Sequence, residues 1–318
     1  MSFLGVCVHA SPRRRGASAP VERACGMPSS TTAHASHHLL LRAAAARAQR
    51  RYRDAGGVPR AHALSSPAGL HRRPWLARLR RALENGDFVM HYQPIVALGD
   101  GSVSHHEALV RLADEPHGRL VAPASFLPAA ERYGLVRDID RFVLGRVTAA
   151  LATEPGRGRP VAINVSTLSA TDGTMLKSIE RALARHDVDP ERLIVEVTET
   201  AAISDMGRAR AFCAGARSLG CGVALDDFGS GFGSFQYLKH LPFDFLKIDG
   251  DFIRSLPSSP TDQLVVKALV DVVAGMGRRT IAEFVGDVAT LELLREFGVD
   301  YAQGFQVGMP APCMMVTV

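Results

Sequence analysis

The sequence predicts an α/β protein: a single (β/α)8 barrel of the TIM type, preceded by a mostly disordered, Arg-rich tail. Three observations predict it. Eight strand-like segments lie between 88 and 304. From the second onward, helical stretches separate them, as alternating β and α elements require. Polar residues recur near the C-terminal end of strand after strand, where a barrel gathers its active site. A doubly wound open sheet also alternates strands and helices, but no G-x-G-x-x-G follows the first strand.

Residues 1–36 are rich in Ser, Ala, Pro and Arg without hydrophobic periodicity, which predicts disorder. "HLLLRAAAARAQRRYR" (38–53) has the Ala, Leu and Arg content of a helix. A linker with paired Gly and scattered Pro follows at 55–73. "PWLARLRRALENG" reads as a helix stopped by Gly86. Strands are expected at 88–97, 103–112, 160–166, 192–199, 222–227, 243–249, 279–284 and 299–304. Helices are expected at 124–152, 172–186, 205–219, 232–240, 261–275 and 287–296. The helix at 261–275 is bracketed by Thr261 and Asp262 at its start and Gly275 at its end. Two domains follow: residues 1–73 as tail and 74–318 as barrel.

Composition narrows the function classes. No apolar run approaches the roughly 18–20 residues of a membrane span. The five cysteines (7, 25, 213, 221 and 313) are scattered and lack metal spacing, which fits reduced thiols in a cytoplasm. The net charge is +5, but residues 1–82 hold 15 arginines against Glu22 and Asp54 and so carry +13, leaving −8 on the remainder. An Arg-rich tail suits a nucleic-acid arm, yet no helix-turn-helix or other DNA-reading element is present, so DNA is not the expected partner.

Alternate residues of a strand share a face. That rule aligns Glu107, Leu109 and Arg111; Ala162, Asn164 and Ser166; Ile194, Glu196 and Thr198; Ala224 and Asp226, with Asp227 one step on; Phe245, Lys247 and Asp249; Ile281 and Glu283; and Tyr301 and Gln303. Each series ends in polar residues at the expected mouth. Five of them are carboxylates, which cannot all stay ionised together without cations. An oxygen-only donor set favours Mg²⁺ or Mn²⁺ over zinc. The adjacent pair Asp226 and Asp227 suits two ions, the usual device for in-line attack on a phosphodiester. His105 and His106 flank Glu107, but the carboxylates already suffice as ligands.

The segments "HYQPIV", "EALVRL", "AINVS", "VEVTET", "LDDFGSGFGSF", "LKID", "IAEFV" and "YAQGF" occur in this order between about 84 and 312. Together they resemble the EAL domain family of cyclic di-GMP phosphodiesterases. The resemblance implies a barrel with its first strand antiparallel, a homodimer, and Mg²⁺- or Mn²⁺-dependent opening of cyclic di-GMP to linear pGpG in second-messenger signalling. It implies one metal on Glu107, Asn164, Glu196 and Asp226, and a second on Asp226, Asp227 and Glu283. Lys247 would act on the attacking water, with Glu107 and Glu283 as catalytic partners. Gln93, Leu109, Arg111, Asp249 and Gln303 would meet the substrate, and Glu199 would anchor the loop after the strand bearing Asp226 and Asp227.

Two departures stand out. Ser230, Phe232 and Gly233 replace the more usual Thr, Tyr and Ser, and Gly286 replaces a second glutamate after Glu283, expected one helical turn beyond it. With that glutamate missing, the alternative is a receptor that binds cyclic di-GMP without cleaving it. The helix at 38–53 and the linker after it resemble the end of a GGDEF cyclase domain. No cyclase signature loop accompanies them, so they read as a remnant.

Overall fold

The computed structural model describes residues 72–114, 119–153, 158–229 and 237–314. The expected tail up to residue 71, with its helix at 38–53, and residues 232–236 of the helix expected at 232–240 lie outside these residues, and Tyr237–Lys239 form a single 3-10 turn.

Helix α1 (Arg72–Asn85) buries Leu79 and Ala82 and ends where Gly86 takes a φ of +78°. Strand β1 (Phe88–Ala97) then runs antiparallel to β2 (Val103–Asp114), with Gln93 opposite Glu107. From β2 the sheet continues in parallel through β4 (Val161–Val165), β5 (Leu193–Thr198), β6 (Gly222–Phe228), β7 (Phe245–Ile248), β8 (Arg279–Ala282) and β9 (Tyr301–Ala302). Strand β9 pairs antiparallel with β1 and closes the cylinder. The eight-stranded barrel with a reversed first strand is therefore present.

A further strand, β3 (Arg119–Val121), hangs on β2 outside the barrel. It is short and mostly exposed, so no alternation of buried and polar residues announced it.

One expected helix is split, and two others are each preceded by a short helix that was not expected. The stretch 124–152 forms α2 (Pro123–Arg132) and α3 (Val136–Thr153), with Gly134 left-handed between them at φ +70°. A short helix, α4 (Thr167–Thr171), lies before Gly173, and the helix expected at 172–186 follows as α5 (Met175–His186). Another short helix, α6 (Glu199–Ser204), precedes α7 (Met206–Ser218), which is the helix expected at 205–219; the Asp205 side chain caps α7 by accepting from Arg208 N. Helix α8 (Gly250–Arg254) was not expected; α9 (Pro260–Gly275) and α10 (Val288–Glu296) were.

The core has two layers. Ala162, Ile194 and Ala224 pack within the barrel beside Phe245, and Ile95, Ile281 and Tyr301 form a second cluster there. Outward-facing Ile163, Val195, Val223, Leu246 and Ile248 join helical residues such as Val147, Phe212 and Val273 in the larger cluster around it. Each fully buried Val, Leu or Ile contributes about 1.5–3 kcal/mol, so this packing fixes the strand ends rigidly.

Candidate active site

Lys247 lies at the centre of the mouth, 1% exposed. Its Nζ is 2.8 Å from Glu196 Oε2, 2.9 Å from Asp226 Oδ1, 2.9 Å from Glu283 Oε1 and 3.4 Å from Glu107 Oε2. The contact to Asp226 is an ion pair without hydrogen-bond alignment. Strands β2, β5, β6 and β7 carry four of these five residues in on inward-facing positions, and Glu283 follows directly on β8.

Glu107 is the most completely held carboxylate. Asn164 Nδ2 donates to its Oε1 at 2.6 Å, and Gln303 Nε2 donates to its Oε2 at 2.6 Å. Gln303 Nε2 also reaches Gln93 Oε1 at 3.2 Å, while Gln93 Nε2 donates to Gly308 O at 3.0 Å. The antiparallel β1 thus joins the site through Gln93.

The adjacent Asp226 and Asp227 pose a geometric problem, since strict alternation would send them to opposite faces. The β6–β7 register shifts between Leu225 and Phe228, and Asp227 takes a left-handed φ of +55°. A bulge of this kind re-aims a side chain. As a result, ligand atoms of Asp226, Asp227 and Glu283 all lie within 4.8 Å of one another.

Glu283 is brought into this triad in a similar way. The next residue, Phe284, has φ +54°, and the chain leaves the strand there. Val285 N then donates to Gln303 O, and Gln303 N donates to Ala282 O. Gly304, at φ +154°, backs this segment: a Cβ there would lie 2.2 Å from Val285 O and 2.3 Å from Val285 N. Gly304 escaped the sequence reading because one glycine after a strand carries no distinguishing pattern. Residues 283–286 are not helical, so Gly286 does not stand one helical turn beyond Glu283.

The remaining predicted residues lie around this centre. Leu109 and Arg111 follow Glu107 along β2, both half-buried, and Arg111 Nη1 donates to Val110 O at 3.0 Å. Asp249 caps α8, accepting from Asp251 N, and adds its negative charge to that of Asp226 and Asp227. Glu199, buried, accepts from Gly229 N at 3.1 Å through Oε2. His105 packs between Phe245 and Tyr301, and burial with the Lys247 charge lowers it to about 3, so it is neutral.

Burial dominates the electrostatics. It pushes Glu283 up to about 8 and Glu196 well above the carboxylate range, with Lys247 opposing both. Asp227 rises to about 6, first from burial and then from Asp226. Glu107 moves the other way: burial alone would raise it, but Lys247 and the donors Gln303 and Asn164 outweigh that. Burial would likewise lower Lys247, yet Asp226, Glu107, Glu196 and Glu283 raise it well above its ordinary value.

Five carboxylates against one ammonium leave the cluster short of positive charge. Glu196 Oε1 and Glu283 Oε2 are buried without a hydrogen-bond partner, a costly state for a carboxylate oxygen. Oxygen donors, excess negative charge and orphaned buried oxygens all fit hard divalent cations. The donor set holds no sulfur, which sets it apart from thiolate-bound zinc centres.

Comparison with known proteins places these features in context. The EAL domain family model matches residues 76–310. The chain is 36% identical over 240 residues to cyclic di-GMP phosphodiesterase PdeB of Shewanella oneidensis, covering 75% of this chain and 28% of that one. It is also 36% identical over 237 residues to MucR of Pseudomonas aeruginosa, a bifunctional diguanylate cyclase/cyclic di-GMP phosphodiesterase, covering 74% of this chain and 34% of that one. The chain thus spans about a third of the length of these curated relatives. Among solved structures, the PaMucR phosphodiesterase in complex with c-di-GMP superposes with a TM-score of 0.72 at 35% identity, covering 76% of this chain and 98% of that one. The FimX EAL domain from Pseudomonas aeruginosa bound to c-di-GMP gives 0.71 at 31%, with the same coverage.

Proposed function

The chain belongs to the EAL domain family, and we propose that its barrel is a metal-dependent phosphodiesterase that hydrolyses cyclic di-GMP to linear pGpG. The observation that carries this reading is the convergence of Glu107, Glu196, Asp226, Asp227 and Glu283 at one mouth, with buried oxygens still unpartnered.

Glu107, Asn164, Glu196 and Asp226 would hold one Mg²⁺ or Mn²⁺, and Asp226, Asp227 and Glu283 a second. Such ions supply a nucleophilic water near neutrality and offset charge on the phosphate. Lys247 would orient the attacking water and stabilise the charge developing on the phosphoryl oxygens, with Glu107 and Glu283 holding its ammonium in place. Water adds at phosphorus, the P–O3′ bond breaks, and the released alkoxide takes a proton, leaving a 5′-phosphate and a 3′-hydroxyl. Arg111 grips a substrate phosphate, for which a guanidinium is well shaped. Gln93, Leu109, Asp249 and Gln303 line the substrate floor. Glu199 restrains the loop that starts at Gly229.

A homodimer through the barrel, a cytoplasmic location and a role in bacterial second-messenger signalling go with this reading. Residues 1–73 serve as a tail outside the catalytic domain at 74–318. Among the described residues, no helix is long and apolar enough to cross a membrane.

Gly286 favours a second reading, a receptor that binds cyclic di-GMP without turnover. Calorimetric binding and chromatography of the same mixture separate the two. Phosphodiesterase action yields pGpG in Mg²⁺ or Mn²⁺; a receptor yields heat of binding and unchanged cyclic dinucleotide.

A further inference from the structure

Asn164 differs from the other proposed metal ligands in being exposed at the mouth. Among the described residues its side chain has one hydrogen bond, to Glu107. Little packing therefore fixes its amide, and its aim depends on the backbone at the end of β4.

That backbone is clamped from outside the barrel. Asp140, buried on α3, accepts from Ser166 N at 3.1 Å and from Ser166 Oγ at 2.6 Å through the same Oδ2. Ser166 is the first residue after β4, two positions from Asn164. Ser166 Oγ in turn accepts from Ser169 N at 3.2 Å. Hydroxyl and amide donors, not a salt bridge, thus hold this carboxylate. Burying a carboxylate is costly, and Ser166 alone already caps the five-residue α4. A helix cap does not account for the acid.

We propose that Asp140 is a positioning residue for the reaction: by fixing Ser166 it sets the exit of β4 and so the aim of Asn164 toward the metal-binding carboxylates. This rests on the reading of the cluster as a cation site. The clamp acts at one remove, as groups supporting metal ligands commonly do, where their loss weakens metal affinity or activity by about 10- to 100-fold.

The test is Mn²⁺ binding to the full chain, measured by calorimetry without substrate. Four forms are compared: the unaltered chain, Asp140→Asn, Asn164→Ala and the double variant. Asp140→Asn should weaken Mn²⁺ binding about tenfold. The double variant should bind within about twofold of Asn164→Ala, because residues acting through one contact are not additive. Ser166→Ala, which removes the 2.6 Å contact, should reproduce the loss and serves if Asp140→Asn fails to fold. Unchanged affinity in both Asp140→Asn and Ser166→Ala, or additive losses in the double variant, would overturn the role of Asp140 alone. Absence of Mn²⁺ binding by the unaltered chain would instead overturn the reading of the cluster, and this inference with it.

Discussion

Asp227 shows how one residue alters the chemistry available. Its left-handed φ costs about 1–2 kcal/mol relative to a regular conformation, and in exchange two neighbouring carboxylates face one point. Lys247 is the counterpart: a single buried ammonium spread over four acids. Lys247→Ala is expected to cut kcat by roughly 10²–10³-fold, the scale of losing one transition-state donor, while Mn²⁺ binding persists. Loss of Mn²⁺ binding with an unchanged rate at saturating metal would refute its role. A second prediction concerns pH. Glu283 shifts from 4.5 to about 8 and Asp227 from 3.8 to about 6. Both are raised, so the folded chain retains protons that the unfolded chain has released. Without divalent ions, stability should therefore fall from about pH 4 to pH 8, and Mn²⁺ should oppose the fall. Thermal melts at pH 5 and pH 8, with and without Mn²⁺, check this; a metal-free Tm that rises toward pH 8 would contradict it.

At the scale of elements, the strands and their inward carboxylates were legible because period-2 alternation survives in each segment. Glu107, Asn164, Glu196, Lys247 and Gln303 could be placed by counting. Asp227 could not be, since alternation puts it on the wrong face until the bulge is known. The helix break at Gly134 is not legible because apolar periodicity runs across it. At 283–286, spacing alone cannot distinguish a helical turn from an extended exit backed by Gly304. That exit gives a prediction. Gly304→Ala would drive a methyl group into the Val285 backbone and displace Glu283, so activity should fall at least tenfold, with a lower Tm. Retained activity would show that the exit yields freely. Gly286 is different: a Cβ there meets only Phe284 O, at 3.9 Å. Gly286→Glu should fold normally and raise kcat modestly, within about tenfold. Full restoration from an inactive parent would favour the receptor reading.

For the whole molecule, charge and topology work together. The acidic part of the chain, −8 beyond residue 82, would repel a dinucleotide carrying two phosphates unless cations are focused where it binds. The barrel provides that focus by converging five carboxylates from β2, β5, β6 and the end of β8. On the proposed function, this cluster, loaded with divalent ions, cleaves the cyclic dinucleotide. The most direct measurement is chromatography of cyclic di-GMP after incubation with the chain in Mn²⁺, in chelator, and in Mn²⁺ with Asp226→Asn. The expected result is pGpG in the first case, and in the other two less than about a tenth of that rate, a barrier difference of at least about 1.4 kcal/mol. Equal turnover in all three would contradict it, as would intact cyclic di-GMP in the first.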